Sequence, residues 1–165
     1  MAMRVSDFPG LLPGGVHAID IDHLLYLGVH RLPLSKRRAA IMAGFMEIAC
    51  KLVEHAIVGD IIIDGSFLTE EIEPDDLDFT LCVSQDFYIS SVGARRAYLD
   101  WIGDDKTIAT THLCDCYLCV ECEPDSPMYF DGIQTRQYWT DLYRFSKVVK
   151  RERGIAVIHL TGKML

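Results

Sequence analysis

The sequence predicts one domain of the α/β (α+β) class, and three observations carry that prediction. The chain has 165 residues, the size of one domain, and at that length roughly 70% of the unfolded surface is removed from water on folding. Half of the residues are hydrophobic, enough for a sizeable core and too many for a disordered chain. Runs of strand character alternate with stretches whose apolar residues recur at helical spacing, without an internal repeat, low-complexity tract or linker.

The elements follow in order. Residues 1–34 are turn-rich, with PGLLPGG and a later LPL framing HLLYLGV. Asp20-Ile21-Asp22 in this segment has no Gly-Ser upstream and precedes helical residues. It reads as a cap or first-turn pair. A helix is expected over 35–55, capped by Ser35, with Ile41, Met42, Phe45, Met46, Ala49, Leu52 and Val53 as its apolar stripe. Strands are expected over 57–64 and 76–83. The connection between them is shorter than a parallel crossover needs, so they should pair antiparallel. A helix over 87–101, a strand over 110–121, a Pro-containing turn at 123–127 and a helix over 135–150 come next. Gly154 ends that basic stretch, and IAVIHL forms the last strand.

A formal charge of -8 disfavours coating of nucleic acid by charge alone. Local basic clusters at Lys36-Arg37-Arg38, Arg95-Arg96 and 147–153 leave specific phosphate binding open. No apolar run approaches the roughly 20 residues of a membrane helix, and the N-terminus lacks the apolar core of a signal peptide. A cytoplasmic protein without membrane contact is the expectation. Cys114, Cys116, Cys119 and Cys122 lie in a strand-like segment. Alternation there sends Cys116 and Cys119 to opposite faces, so they read as small buried apolar residues rather than zinc ligands.

The chemistry concentrates in 61–83, IIIDGSFLTEEIEPDDLDFTLCV. One apolar run ends in Gly65-Ser66, and a second opens with Asp76-Leu77-Asp78. Carboxylates at i and i+2 on a strand project from one face. Such a pair is a seat for a divalent cation, and a Gly-Ser bend beside it suits phosphate. On the third strand the apolar parity is Cys114, Cys116, Leu118 and Val120, leaving Asp115 with Leu113 and Tyr117. If the strands are neighbours, Asp115 joins Asp76 and Asp78. Three converging oxygen ligands suit Mg²⁺ or Mn²⁺ better than zinc, and without a cation their repulsion is uncompensated.

Gly65-Ser66, a connection of nine residues and Asp76-Leu77-Asp78 resemble the signature of the nucleotidyltransferase fold, the superfamily of DNA polymerase beta. LLPGGVH, DGSFLTEEIEPDDLD, and YWTDLYRF followed by RGIAVI are similar to a family of small uncharacterised bacterial proteins of that fold. The likeness runs over nearly the whole chain. It implies a mixed sheet with helices on one face and the active site on the other. It also implies that Gly65 and Ser66 hold the β- and γ-phosphates of a nucleoside triphosphate such as ATP. Asp76 and Asp78 would bind metal, and Asp115 would serve as third ligand and activate the attacking hydroxyl. A nucleoside monophosphate would pass to a hydroxyl of a protein, RNA or small molecule, with Mg²⁺ or Mn²⁺ as cofactor. Small proteins of this fold also occur in toxin–antitoxin or defence modules, where the acceptor is a partner protein or tRNA.

The alternative reading is a catalytically silent nucleotide- or partner-binding module of the same fold, alone or as a homo-oligomer. A zinc-binding regulatory protein using the cysteine-rich strand is the weakest reading. Asp64 is open between support for the ligands and a solvated strand end. Arg136, Lys147, Lys150, Arg151 and Arg153 are candidates to neutralise triphosphate, though each alone reads as solvated surface. His112 reads as structural.

Overall fold

A five-stranded mixed sheet organises the computed structural model, which describes residues 8–104, 106–127, 129, 135–144 and 152–163. Its strands are β1 (Gly15–Ala18), β2 (Val58–Asp64), β3 (Leu77–Ser84), β4 (Cys114–Glu121) and β5 (Gly154–Thr161). The helices are α1 (Ile21–Leu25), α2 (Arg38–Glu54), α3 (Gln85–Ser90), α4 (Gly93–Asp104), α5 (Ile108–Thr111) and α6 (Arg136–Arg144), with a π-type turn over Tyr26–His30. Across the sheet the order is β1-β5-β2-β3-β4. β2 is antiparallel to β3 and β5, as its short connection to β3 requires. β3 and β4 run parallel, and α3, α4 and α5 supply the crossover between them.

Alternation along the strands divides the sheet's side chains between two faces. Ile61, Ile63, Leu77, Phe79, Leu81, Ala156 and Ile158 pack with the α2 stripe of Ile41, Phe45, Ile48, Ala49 and Leu52, and with Leu99 and Ile102 of α4. Phe45 meets Phe79 edge to face at 5.6 Å. On the second face Ile62, Cys82, Cys119 and Ile155 lie under Tyr143, Trp139 and Leu142 of α6. The expected arrangement of helices on one face therefore holds for α1 to α5 and fails for α6. Tyr143 on that face covers Thr80, which is fully buried and bonded to the Tyr143 hydroxyl at 2.8 Å.

Several local features differ from expectation. The helix over 87–101 is two helices. Ser84 caps α3 by accepting from Phe87 N–H at 3.2 Å, Ser91 Oγ closes it on Phe87 O at 2.7 Å, and Gly93 starts α4 at φ +60°. The strand over 110–121 begins only at Cys114, after α5 and a positive φ at Leu113. β1 adds an edge strand within the segment expected to be turns only. Of the helix over 135–150, α6 covers Arg136–Arg144, and Lys147, Lys150 and Arg151 lie outside the described residues. Asp20 caps α1, accepting from His23 N–H at 2.7 Å, as its position beside helical residues predicts.

Of the basic run at the head of α2, Arg38 faces inward, while Lys36 and Arg37 are exposed. Ser35 Oγ accepts from Arg38 N–H at 3.0 Å, which starts the helix. Arg38 itself is 0% exposed. Its Nη1 donates to Gly28 O at 2.9 Å and Phe67 O at 2.7 Å. Nη2 donates to Thr69 O at 2.7 Å and Glu71 O at 2.6 Å, and Nε to Glu71 O at 3.1 Å. The guanidinium also lies 5.0 Å from the centroid of the Phe67 ring. Burial lowers its pKa to about 10, with Glu71 and Glu73 opposing, so it stays charged near neutrality.

Arg38→Met leaves these buried carbonyls without a donor and should lower the unfolding free energy by about 3 kcal/mol or more. Arg38→Lys keeps the charge but lacks the planar fork and should fall between. Urea denaturation checks both, and a methionine variant as stable as the parent would refute the structural role.

Candidate active site

The end of β2 and the starts of β3 and β4 bring four acidic residues to the second face. Asp64 is the register partner of Asp78, and Asp78 is the partner of Asp115. The three form a row across adjacent strands, which lie about 4.8 Å apart. Asp76, two residues before Asp78, shares its side of the chain. Burial of Ile63, Leu77, Phe79 and Cys114 on the opposite face fixes this outcome. Asp115 thus reaches Asp78 as its parity predicts. Asp64 is a member of the row rather than a solvated strand end, and it is only 7% exposed.

Gly65 follows at φ +87°, a backbone state that favours glycine. A Cβ there would stand 1.8 Å from Asp78 Oδ2. Two separate constraints, backbone and neighbour, therefore select glycine at this bend. Ser66 opens a single 3-10 turn over Ser66–Leu68. Thr69 Oγ1 donates to Ser66 O at 2.7 Å, and the carbonyls of Phe67, Thr69 and Glu71 are those held by Arg38. The bend is a braced loop.

The charges in the row are poorly compensated. Burial, then the carboxylates of Asp76, Asp64 and Asp115, push Asp78 up to about 8, against Arg153. Burial and then Asp115 and Asp75 raise Asp76, with Arg37 opposing. Burial raises Asp64, while Arg153 and the Gly65 N–H work the other way. Arg153 Nη1 lies 3.8 Å from Asp64 Oδ2. Among the described residues no cation is within ion-pair distance of Asp76, Asp78 or Asp115.

Carboxylate oxygens are the donor type that suits Mg²⁺ or Mn²⁺, and crowded carboxylates without a cation raise each other's pKa. Among the described residues no group of three or more His, Cys, Asp or Glu side chains is placed to hold a metal ion. Magnesium does not need such a group, since it is commonly held by one or two carboxylates, with water and substrate phosphate oxygens completing the octahedron.

Two phenols border the row, and neither stands out from composition. Tyr117 on β4 donates to Asp115 Oδ2 at 3.2 Å. Burial, Asp115 and Asp78 push its hydroxyl up to about 12. Tyr143 comes from α6, and its phenol is raised by burial and by Asp78 and Asp64. The Trp139 ring lies 5.1 Å from that of Tyr117 and 5.9 Å from that of Tyr143, making an aromatic wall on the α6 side. Tyr117 shares the parity of Asp115, which is the signal that could have singled it out.

On the other side of the row, Asp64, Gly65, Thr69 and Arg153 line a cavity of about 290 Å³, closed by residues 8–14. Leu11 N–H bonds Leu68 O at 2.8 Å, and Glu70 N–H bonds Pro9 O at 2.8 Å, so the N-terminal segment is strapped to the braced loop. A second hollow of about 740 Å³ opens on the helical face, among Cys50, His55, Tyr98, Trp101 and His112. It is larger but contains none of the row.

The remaining candidates lie elsewhere. Arg136 pairs with Glu121 at 2.8 Å and with Asp60, which also meets His159. Asp60 is four residues back along β2, about 13 Å from Asp64, so Arg136 is committed to the far end of the face. Of the two predicted basic residues within the described part, Arg153 reaches the row and Arg136 does not. Cys114 and Cys116 of β4, and Cys122 just past its end, pack toward the inner core, while Cys119 faces the other side against Cys82, so the four do not gather as one ligand set.

Residues 5–159 match a family of unknown function, DUF6932. The chain belongs to that family. The match runs from the N-terminal strap into β5 and so includes every residue of the row. No curated protein and no solved structure matches the chain. Among the described residues no helix is long and apolar enough to cross a membrane.

A carboxyl whose folded pKa lies above its unfolded value binds its proton more tightly in the folded state. For Asp78 that stabilisation is complete below about 4 and is lost as pH rises through about 8. In metal-free buffer the urea midpoint should therefore fall between about pH 5 and about pH 8, and fall less in Asp78→Asn. A parent midpoint that is flat or rising over this interval would refute the raised pKa of Asp78.

Proposed function

We propose that this protein is a metal-dependent nucleotidyltransferase of the nucleotidyltransferase fold, transferring a nucleoside monophosphate from a triphosphate to a hydroxyl. The observation that supports it is the row of Asp64, Asp78 and Asp115, joined by Asp76 and set beside the Gly65 bend. Four acidic groups packed this closely oppose folding unless a cation uses them.

The roles follow from position. Gly65 lets the chain approach the β- and γ-phosphates closely, and Ser66 offers a hydroxyl and an N–H. Asp76 and Asp78 hold the metal, with Asp115 as third ligand. Bound Mg²⁺ or Mn²⁺ would neutralise the phosphates and the charge developing on entering and leaving oxygens. Asp115 takes the proton of the attacking hydroxyl. The bond from that oxygen to the α-phosphorus forms as the bond to the bridging oxygen breaks, and pyrophosphate leaves. Arg153, held by Asp64 at the mouth of the smaller cavity, faces the departing charge. The acceptor is a hydroxyl of a protein, of RNA such as tRNA, or of a small molecule, and a toxin–antitoxin partner is one such protein.

Calorimetry with Mn²⁺ and nucleoside triphosphates tests the site. The parent should bind in a metal-dependent way, and the double variant Asp76→Ala, Asp78→Ala should not. Unchanged binding by the double variant would dismiss the assignment. Gly65→Ala should fold, since the Asp78 carboxylate can swing aside, yet lose roughly 100-fold in any transfer rate from the displaced ligand. Binding without transfer of labelled nucleotide to lysate protein or RNA would instead favour the silent module.

A further inference from the structure

We propose that Tyr117 is itself an acceptor, so that the protein nucleotidylates its own chain at this phenol; the inference rests on the transferase reading above. In that reading Asp115 takes the proton from the attacking hydroxyl. Whichever hydroxyl Asp115 holds therefore stands where an acceptor stands. The Tyr117 hydroxyl donates to Asp115 Oδ2 at 3.2 Å. The two residues are i and i+2 on β4 and project from one face, so strand geometry itself sets the contact. Asp78 is the register partner of Asp115, which brings a metal-holding carboxylate alongside the same oxygen.

The phenol is also oriented and reachable. Its ring rests at 5.1 Å from Trp139, inclined by 31°. At 43% exposure it needs no opening of the fold to meet a triphosphate laid over the row. Tyr143 offers the contrast. It is 7% exposed, and its hydroxyl is taken by Thr80 at 2.8 Å. Of the two phenols at the row, only Tyr117 has both the base and the access.

The step balances without a further reactant. The Tyr117 oxygen attacks the α-phosphorus, its proton passes to Asp115, and the bond to the bridging oxygen breaks with release of pyrophosphate. A phosphodiester joining Tyr117 to the nucleoside remains. An acceptor supplied by the chain itself needs no capture from solution, which favours the intramolecular event. The product fills the place of any external acceptor, so each chain reacts once.

The full-length protein is incubated with Mn²⁺ and each ribonucleoside triphosphate in turn, then read by intact mass and peptide mapping, with calorimetry in parallel. The expected result is the mass of one nucleoside monophosphoryl group, mapped to Tyr117. Tyr117→Phe should bind Mn²⁺ and triphosphate but gain no mass, and Tyr138→Phe, altered on the exposed side of α6, should label like the parent. Metal-dependent binding with no added mass, or with the mass on another residue, overturns the self-acceptor assignment and leaves the transferase reading standing. Absence of metal-dependent binding overturns both.

Discussion

One guanidinium joins the parts on which the rest of this structure depends. Arg38 at the head of α2 reaches back to the π-type turn through Gly28 and forward to the loop after β2 through Phe67, Thr69 and Glu71. Three chain segments distant in sequence therefore meet on one planar, permanently charged group. A neutral side chain could not satisfy so many buried carbonyls, and an ammonium lacks the fork to reach them. The loop so held is the one that begins with Gly65 and Ser66. Its shape does not depend on a ligand arriving.

The acidic row is the counterpart, and the two are opposite in character. Around Arg38, each donor finds an oxygen. Around Asp78, carboxylates face one another with Arg153 as the nearby countercharge among the described residues, and burial together with that crowding raises the pKa of Asp78 to about 8. A fold that braces its loop fully while leaving its carboxylates in conflict holds that conflict in place. Relaxation of the backbone is closed off by the Arg38 contacts on one side and by the β2–β3–β4 pairing on the other. What remains to relieve the charge is a proton or a cation.

Much of this was legible before any coordinates. The α2 stripe, the antiparallel β2–β3 pair and the parity of Asp78 and Asp115 all follow from spacing, because burial of one strand face determines the other. The row's fourth member was not, since Asp64 at a strand end has the same local sequence whether solvated or packed. Its register with Asp78 decides the matter. Arg38 lay inside a run of three basic residues that resembles a solvated face, and its burial rests on carbonyls about thirty residues away, which no local pattern reveals. β1 escaped notice because four residues, GVHA, are too few to show alternation, and its partner strand is at the other end of the chain. The helix over 87–101 divided where Ser91 turns back on Phe87, a cap that competes with continuation only once the chain is folded.

That pairing of β1 with β5 has a consequence for biosynthesis. Translation delivers the N-terminal strap and the Gly65 bend early, but Gly15 N–H finds Arg153 O, and Ile19 N–H finds Val157 O, only when the final strand has emerged. Until then a nascent chain carries its acidic cluster without the arginine that counters Asp64, and the hollow beside the bend lacks one wall. Contacts of such long sequence separation form slowly. The centre would accordingly stay incomplete until β5 had emerged, and competence would arrive with that strand rather than accumulate during synthesis.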